Sequence, residues 1–339
     1  MGRELVDRLV EPMLGGVYAG RADHLGLRAT MPAVADALAD GAGSLTAAAG
    51  RVLGPAPADT RARDAAARRP VFGALRGGMT VLVTELLRQA RVTLRLGQPV
   101  RALRRGPGPA WALDIGSATH QECVVADAVV LAVPPPAARR LLADAAPAAA
   151  AAYAAIEVAS MAVVSMALPA DAALPPSTGV LLAVDERHAA TRRPFTAKAF
   201  TFTSRKWGRD EASPVLLRAS VGRRGDTGVL RRDDEDLLAA VLADFAELTG
   251  ARAAPIAALV TRWGGGLPQY DVGHTAAVAS IERSVASLPG LSVAGAALRG
   301  VGIPACIDTG RAAAARVIAY LNASARSAGR DGGTAAPSV

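Results

Sequence analysis

Apolar residues recur with helical spacing at several places along the chain. Residues 4–14 put Leu5 and Leu9 on one face of a helix, and Gly15-Gly16 is expected to end it. The same period predicts further helices at 32–39, 44–53, 79–90, 233–249, 276–287 and 303–321. The chain therefore carries helices at both ends and at intervals between them.

Short apolar runs bounded by turn-forming residues predict the strands. Outside the middle of the chain they lie near 92–96, 99–104, 111–115, 128–133, 256–263 and 291–294. Residues 128–133 are continuously apolar, as in a strand covered on both faces. In the middle, strand-length segments follow one another without a helix between them, at 161–168, 179–184, 195–204 and 215–221. This succession predicts an antiparallel sheet.

Composition adds a size and a class to this pattern. A chain of 339 residues suggests two domains, one of them interrupted by the other. The hydrophobic share of 51% and the charged share of 20% exclude disorder for most of its length. Aromatic residues make up only 4%, so the core must consist chiefly of Ala, Val and Leu.

The strong positive charge does not indicate a nucleic-acid partner. Basic residues outnumber acidic ones by 38 to 30, giving +8, and the pI is about 10.4. Only Lys198 and Lys206 are lysines, and such arginine dominance together with abundant Ala, Gly and Pro indicates a GC-rich genome. The arginines are scattered, and no basic stripe alternates with aromatic residues. We therefore predict no nucleic-acid binding.

The cysteines limit the possible chemistry of the protein, and the apolar segments indicate its location. Cys123 and Cys306 lie far apart without CxxC spacing, which argues against a disulfide framework and a cysteine metal site. The charged N-terminus does not resemble a signal peptide, and no clean apolar run reaches about 18 residues. These features predict a cytoplasmic protein without a transmembrane segment, and leave peripheral membrane contact open.

The segment 300–305, GVGIPA, has the form GxGxxA between a strand and a helix. A dinucleotide fingerprint also needs a following strand and an acidic residue about 20 positions on, and here the chain ends after the helix. Small residues would still let a ligand reach the backbone at a helix N-terminus. Two interpretations stay open from the residues alone: a ligand-contacting turn, or a tight strand-to-helix turn without a ligand.

Several longer segments make the chain recognisable. It resembles the protoporphyrinogen/coproporphyrinogen oxidase family, within the flavin amine oxidase superfamily, over nearly its whole length to about residue 321. The matching segments occur in the family's order: LVEPMLGGVYAGRADHLGLRATMP (9–32), LRGGMTVLVTELL (75–87), ADAVVLAVPPPAARRLL (126–142), FTFTSRKWG (200–208), RWGGGLPQYDVGH (262–274) and GAALRGVGIPACIDTGRAAA (295–314).

The resemblance implies a fold and a division into domains. The fold class is α/β (α+β), with a partial FAD-binding, Rossmann-like domain, an inserted antiparallel-sheet substrate domain and a helical domain. The expected parts are a helical domain with a mobile connection (1–70), part of the FAD-binding domain (71–150), the substrate domain (151–275), the C-terminal return to the FAD-binding domain (276–322) and a disordered tail (323–339).

The resemblance also implies an activity. Members of the family use FAD to oxidise a porphyrinogen in haem biosynthesis, and pass the electrons to molecular oxygen to form hydrogen peroxide. The protein then holds the reduced macrocycle against the flavin, which supplies the chemistry. No catalytic side chain and no metal is expected. The substrate is coproporphyrinogen III or protoporphyrinogen IX, which the sequence does not separate, although for a GC-rich source the resemblance leans towards coproporphyrinogen III. A homo-oligomer or a contact with another haem-pathway enzyme also stays open.

Site residues follow from the resemblance, position by position. Val100 matches a backbone contact to the FAD adenine, Trp263 a position beside the cofactor, and Val301-Gly302-Ile303 the turn under the flavin ring. Val100 could equally be an ordinary strand residue and Trp263 a packing residue.

Three other positions are weighed beside these. Lys206 is the candidate partner for a substrate carboxylate. His274 is expected to support the adjoining helix rather than transfer protons. Tyr18 and Tyr270 either line the cavity or fill the core.

The chain departs from the family at its start. Members begin with a strand, a GxGxxG turn and a helix that bind the FAD pyrophosphate, and the first residues here already match the helical domain. We therefore expect an N-terminally truncated oxidase that binds FAD poorly by itself. The alternatives are a non-catalytic tetrapyrrole-binding remnant and another superfamily member that oxidises amines or carotenoids.

Overall fold

The computed structural model describes residues 2–54, 73–117, 119–208 and 213–331. The helices are α1 (Arg3–Leu5), α2 (Glu11–Tyr18), α3 (Leu27–Thr30), α4 (Pro32–Ala39), α5 (Leu45–Leu53), α6 (Thr80–Ala90), α7 (Pro135–Leu142), α8 (Pro147–Ala154), α9 (Thr203–Trp207), α10 (Asp234–Thr249), α11 (His274–Ala286) and α12 (Ile303–Asp331). The strands are β1 (Val100–Arg105), β2 (Trp111–Gly116), β3 (Gln121–Ala126), β4 (Val129–Leu131), β5 (Val158–Leu168), β6 (Gly179–Leu181), β7 (Ala197–Thr201), β8 (Val215–Val221), β9 (Ala257–Pro268) and β10 (Leu291–Val293).

The N-terminal helix is continuous from α1 to α2 through a π-helical turn, Val6–Val10. Pro12 lacks an amide hydrogen, so it cannot complete the regular hydrogen bond one turn back. The expected end at Gly15-Gly16 is wrong, because the helix runs on to Tyr18 and ends at Ala19 with φ 54°. Gly15 is buried, and a Cβ there would lie 3.5 Å from the Arg223 guanidinium, an ordinary van der Waals distance.

The predicted antiparallel sheet is confirmed. Its strand order is β6-β7-β8-β5-β9, and all neighbouring strands run antiparallel. Phe200 of β7 meets Phe245 of α10 with ring centroids 5.9 Å apart. Val164 and Val221 complete the dry centre of this core at 0% exposure.

A second core lies beneath the parallel pair β4 and β10. Leu131 and Leu291 from this pair pack with Leu142 of α7, Tyr153 of α8 and Ile281 of α11. The antiparallel sheet β1-β2-β3 joins the same core through a buried tryptophan of β2. This layered mixture of helices, a parallel pair and antiparallel sheets confirms the α/β (α+β) fold class.

Other elements differ from the sequence prediction for identifiable reasons. Residues 92–96 form no strand, whereas β3 was not predicted. The proline run at 134–136 follows the apolar segment 128–133, and Pro135 starts α7 because proline suits the first turn of a helix. A second proline starts α8 in the same way. Helix α12 continues ten positions past its predicted end, to Asp331.

Two further predictions concern residues that the structure does not describe, or describes only in part. The mobile connection predicted within 54–70 lies outside them apart from residue 54, and so does the end of the predicted tail. In the ranges given above, no helix is long and apolar enough to cross a membrane. The predicted domain boundaries stay predictions.

Candidate active site

The glycine-rich turn between β10 and α12 is shaped by residues that have no side chain. Gly295 has φ 111° and Gly300 has φ 142°, in the region that L-residues rarely adopt. A Cβ at Gly300 would lie 2.6 Å from the Cβ of Ala305, so the close return of the helix also excludes a side chain there. At Gly302 a Cβ would meet only Pro304, 3.8 Å away, and the backbone is exposed. The turn thus presents open backbone at the start of α12.

Helix α12 begins with backbone amides that have no partner inside the helix. The amide of Cys306 donates to the carbonyl of Gly302 at 3.0 Å, which makes Gly302 the residue where the helical hydrogen bonds start. The amides of Gly302, Ile303 and Ala305 precede this first bond. The N-terminus of a helix favours negative charge, so this end of α12 suits an electron-rich or anionic group.

Tyr270 holds the turn in place from the far end of β9. Its hydroxyl donates to the carbonyl of Ala296 at 2.7 Å and accepts from the amide of Gly300 at 2.6 Å. The residue is 1% exposed, and burial raises the pKa of its phenol to about 12. The hydroxyl therefore stays protonated at neutral pH and keeps both hydrogen bonds.

His274 supports the same turn from the start of α11. Its ring stacks on Tyr270 with centroids 3.9 Å apart, and its Nε2 donates to the carbonyl of Leu298 at 3.0 Å. Burial lowers the pKa of the imidazole and so favours the neutral ring, whose proton then lies on Nε2 for the bond to Leu298. Its Nδ1 is buried without a hydrogen-bond partner in the described structure. These contacts suit the supporting role expected of His274.

Gln269 connects the turn to the N-terminal helix. Its side-chain Nε2 donates to the carbonyl of Tyr18 at 2.8 Å, and the ring of Tyr18 lies 5.5 Å from that of Tyr270. A Cβ at Gly20 would approach the Oε1 of Gln269 to 2.4 Å, so the chain passes this amide closely. The end of α2 is thereby fixed against the residues that hold the turn.

The predicted cofactor residues lie in different parts of the structure. Val301, Gly302 and Ile303 form the open turn itself, and Ile303 is 46% exposed. Trp263 is 56% exposed on the edge strand β9, the strand that leads to Tyr270. Val100 starts β1, where its carbonyl accepts from Arg140 at 3.0 Å. No described hydrogen bond joins Val100 or Trp263 to the turn.

Lys206, the predicted substrate contact, lies away from these residues. It is exposed on α9, with its ammonium 5.1 Å from the centre of the Trp207 ring. Helix α9 packs against β8, two strands from the edge strand that carries Trp263. The structure therefore does not bring Lys206 together with the turn.

Gln269 and Lys198 were missed by sequence reasoning. The signal for Gln269 was its place inside the matching segment 262–274, and the signal for Lys198 was the rarity of lysine in an arginine-dominated chain. Neither signal shows burial, and burial is what makes both side chains informative.

The open turn passes a physical test for a flavin. A planar, electron-rich ring needs backbone that it can approach closely and donors that suit negative charge, and Gly302 and the start of α12 offer both. In the described ranges no three His, Cys, Asp or Glu side chains are grouped so as to hold a metal ion. The fold and this turn together are compatible with a flavin site in a protein of mixed α and β structure.

Comparison with known proteins narrows the class to a family. The family model "Flavin containing amine oxidoreductase" matches residues 1–318, and the chain belongs to this family. A coproporphyrinogen III oxidase of Mycobacterium leprae is 41% identical over 324 residues, which cover 95% of this chain and 65% of that protein. A coproporphyrinogen III oxidase of Bacillus subtilis is 30% identical over 331 residues, covering 95% and 66%.

A solved structure agrees with these relatives. The crystal structure of a candidate protoporphyrinogen oxidase from Exiguobacterium sp. 255-15 superposes with a TM-score of 0.71 at 30% identity. The match covers 91% of this chain and 62% of the Exiguobacterium chain. The chain thus spans about two thirds of the length of the relatives it matches. Membership of the family confirms the resemblance and implies a flavin cofactor.

Proposed function

We propose that this chain serves the FAD-dependent oxidation of coproporphyrinogen III to coproporphyrin III, with molecular oxygen as the electron acceptor. The observation that carries the proposal is the open turn Val301-Gly302-Ile303 at the start of α12, in a chain 41% identical to a coproporphyrinogen III oxidase. A bound flavin would accept hydride equivalents from the macrocycle, and oxygen would be reduced to hydrogen peroxide. The division of the chain into the domains predicted above forms part of this proposal.

The chain's own residues would bind and orient. The amides of Gly302 and Ile303 would face the flavin and stabilise negative charge on its reduced form. Tyr270 would keep this backbone in place through its bonds to Ala296 and Gly300. Trp263 would lie beside the cofactor, with its exposed face available for contact.

The proposed contacts of Val100 with the cofactor and of Lys206 with the substrate rest on the family resemblance. The carbonyl of Val100 is bonded to Arg140, so any contact with the adenine would use another part of that residue. Lys206 is exposed and would have to meet a substrate carboxylate at the protein surface. Neither residue gains support from the contacts described above.

Turnover of coproporphyrinogen III tests the proposal. Because the chain is expected to bind FAD poorly by itself, the purified chain is supplied with a saturating concentration of FAD and with substrate in air. Porphyrin fluorescence and hydrogen peroxide are followed together. We expect both to rise above the autoxidation rate, and the rise to stop when oxygen is removed. A rate equal to autoxidation would contradict the proposal. Oxidation of an amine substrate without porphyrin formation would favour the amine oxidoreductase alternative instead.

A further inference from the structure

A positively charged cavity lies between the end of the N-terminal helix and the antiparallel sheet. Its volume is about 540 Å³, within the range of small-molecule sites. Gly20 and Arg21 line one side, and Lys198 and Arg223 line the other. The amide of Arg224 donates to the carbonyl of Ala19 at 2.8 Å, which ties the two sides together.

Lys198 is the most unusual residue of this cavity. It is 3% exposed, on β7, and its ammonium donates to the carbonyl of Gly15 at 3.2 Å. An ammonium has three hydrogens, so this bond leaves donors for another partner. In the described part of the chain, no ion pair involves Lys198 or Arg223, and Arg223 donates to the carbonyl of Leu182 at 2.8 Å.

Three other charged residues of the cavity have partners of their own. Arg193 pairs with Asp244 at 3.0 Å, and Arg224 pairs with Glu157 and Asp271. Buried Glu11 accepts from the amide of Ala22 at 2.6 Å.

The balance of charge around Lys198 is therefore positive. Leaving out Arg193 and Arg224, which are paired with acids outside the lining, the acidic residues Glu11 and Asp226 stand against Arg21, Lys198, Arg223 and Arg232. Burial, and then the charge of Arg223, lower the pKa of Lys198 to about 8. The charges of Glu11 and Asp226 partly offset that of Arg223, but neither acid forms an ion pair with Lys198 or Arg223 in the described residues. A bound anion would therefore still stabilise the two cations.

The cavity is connected to the candidate active site through α2. Lys198 bonds to Gly15, and three residues later Tyr18 contacts Tyr270, whose hydroxyl holds Gly300. An anion bound on Lys198 would thus lie on the segment that is packed against the turn.

We propose that Lys198 and Arg223 form a carboxylate-binding site in this cavity. The ammonium and the guanidinium would each donate to one carboxylate group, as charge-assisted hydrogen bonds. The carboxylate belongs either to a propionate arm of the porphyrinogen or to a small free carboxylic acid. The first source rests on the proposed function, and the second does not.

Binding of stable ligands tests the site without turnover or flavin. Coproporphyrin III and citrate are titrated against the purified chain, by fluorescence quenching and calorimetry respectively. We expect Lys198→Met and Arg223→Met each to weaken binding about ten- to hundred-fold. Arg139→Met removes the same charge from an exposed position of α7 and serves as the matched control.

The ligand series identifies the source of the carboxylate. If a propionate occupies the site, the tetramethyl ester of coproporphyrin III should bind the wild-type chain as weakly as coproporphyrin III binds the Lys198→Met variant. Binding of citrate alone with the same dependence on both residues would assign the site to a free acid. Affinities for both ligands that are unchanged in both variants would overturn the site. Since neither measurement involves oxidation, a failed oxidase assay would leave this result interpretable.

Discussion

The hydroxyl of Tyr270 holds both ends of the glycine-rich turn, and Tyr270→Phe removes that hydroxyl alone. The ring, its stacking on His274 and its burial are kept. The carbonyl of Ala296 loses a donor at 2.7 Å, and the amide of Gly300 loses an acceptor at 2.6 Å. The variant therefore measures what the two hydrogen bonds contribute to the fold.

The expected magnitude follows from the burial of these groups. A buried polar group left without a partner costs about 1–3 kcal/mol, and two such groups are created here. Partial entry of water reduces the sum. Tyr270 is 1% exposed, whereas Ala296 and Gly300 are half-buried and open to some water, so we predict a loss of about 1–3 kcal/mol in the free energy of unfolding.

Urea unfolding followed by circular dichroism measures this loss, with Tyr18→Phe as the matched control. The hydroxyl of Tyr18 makes no hydrogen bond within the described residues, and the ring is half-buried. This control should change the free energy of unfolding by less than about 0.5 kcal/mol. Equal effects of Tyr270→Phe and Tyr18→Phe would refute the role given to Tyr270.

Three further predictions concern other parts of the fold. Gly300→Ala should lower the free energy of unfolding by about 2–4 kcal/mol, because residue 300 has a positive φ and α12 approaches it closely. A Cβ at Gly310 would meet open space, so the control Gly310→Ala should not destabilise the protein; urea midpoints measure both effects. Asp244→Asn should lower the free energy of unfolding by about 3–5 kcal/mol, because the buried carboxylate accepts from a histidine, an arginine and two amides. The exposed control Asp36→Asn should lower it by less than about 1 kcal/mol in the same assay. The pKa of Lys198 is lowered to about 8 in the folded protein, so between pH 8 and 10.5 the unfolded chain binds more protons than the folded one. The ligand-free protein should therefore gain stability relative to Lys198→Met as the pH rises across that range, measured by urea midpoints. Parallel pH profiles of the two proteins would contradict the lowered pKa.

The sequence predicts elements best where one periodicity dominates. Strand β8 alternates buried and exposed residues along its whole length, so its pattern is readable without the fold. Helix α10 is equally clear, since an acidic first turn precedes it and Gly250 with φ 70° ends it. Helices α7 and α8 escaped prediction because prolines mark both strand ends and helix starts. Alanine-rich segments carry too weak a periodicity to decide between these meanings.

The site shows a different limit. The turn at 300–305 could be located from its glycines and from family resemblance, and the structure explains Gly300 by its positive φ. The side chains that hold the turn could not be predicted, because Tyr270 and Gln269 act through contacts with residues far away in the chain. The burial of Lys198 depends in the same way on helix α2 lying across β7.

The contact between a flavin and the backbone at Gly302 is the central claim, and FAD binding to Gly302→Val tests it most directly. A side chain at this position meets little of the protein, so the urea midpoint should stay within error of wild type. The added methyl groups would fill the space that the flavin ring needs. We predict that FAD affinity, measured by quenching of flavin fluorescence, falls at least about tenfold while stability is kept. Equal FAD affinity in the variant and the wild-type chain would contradict the claim.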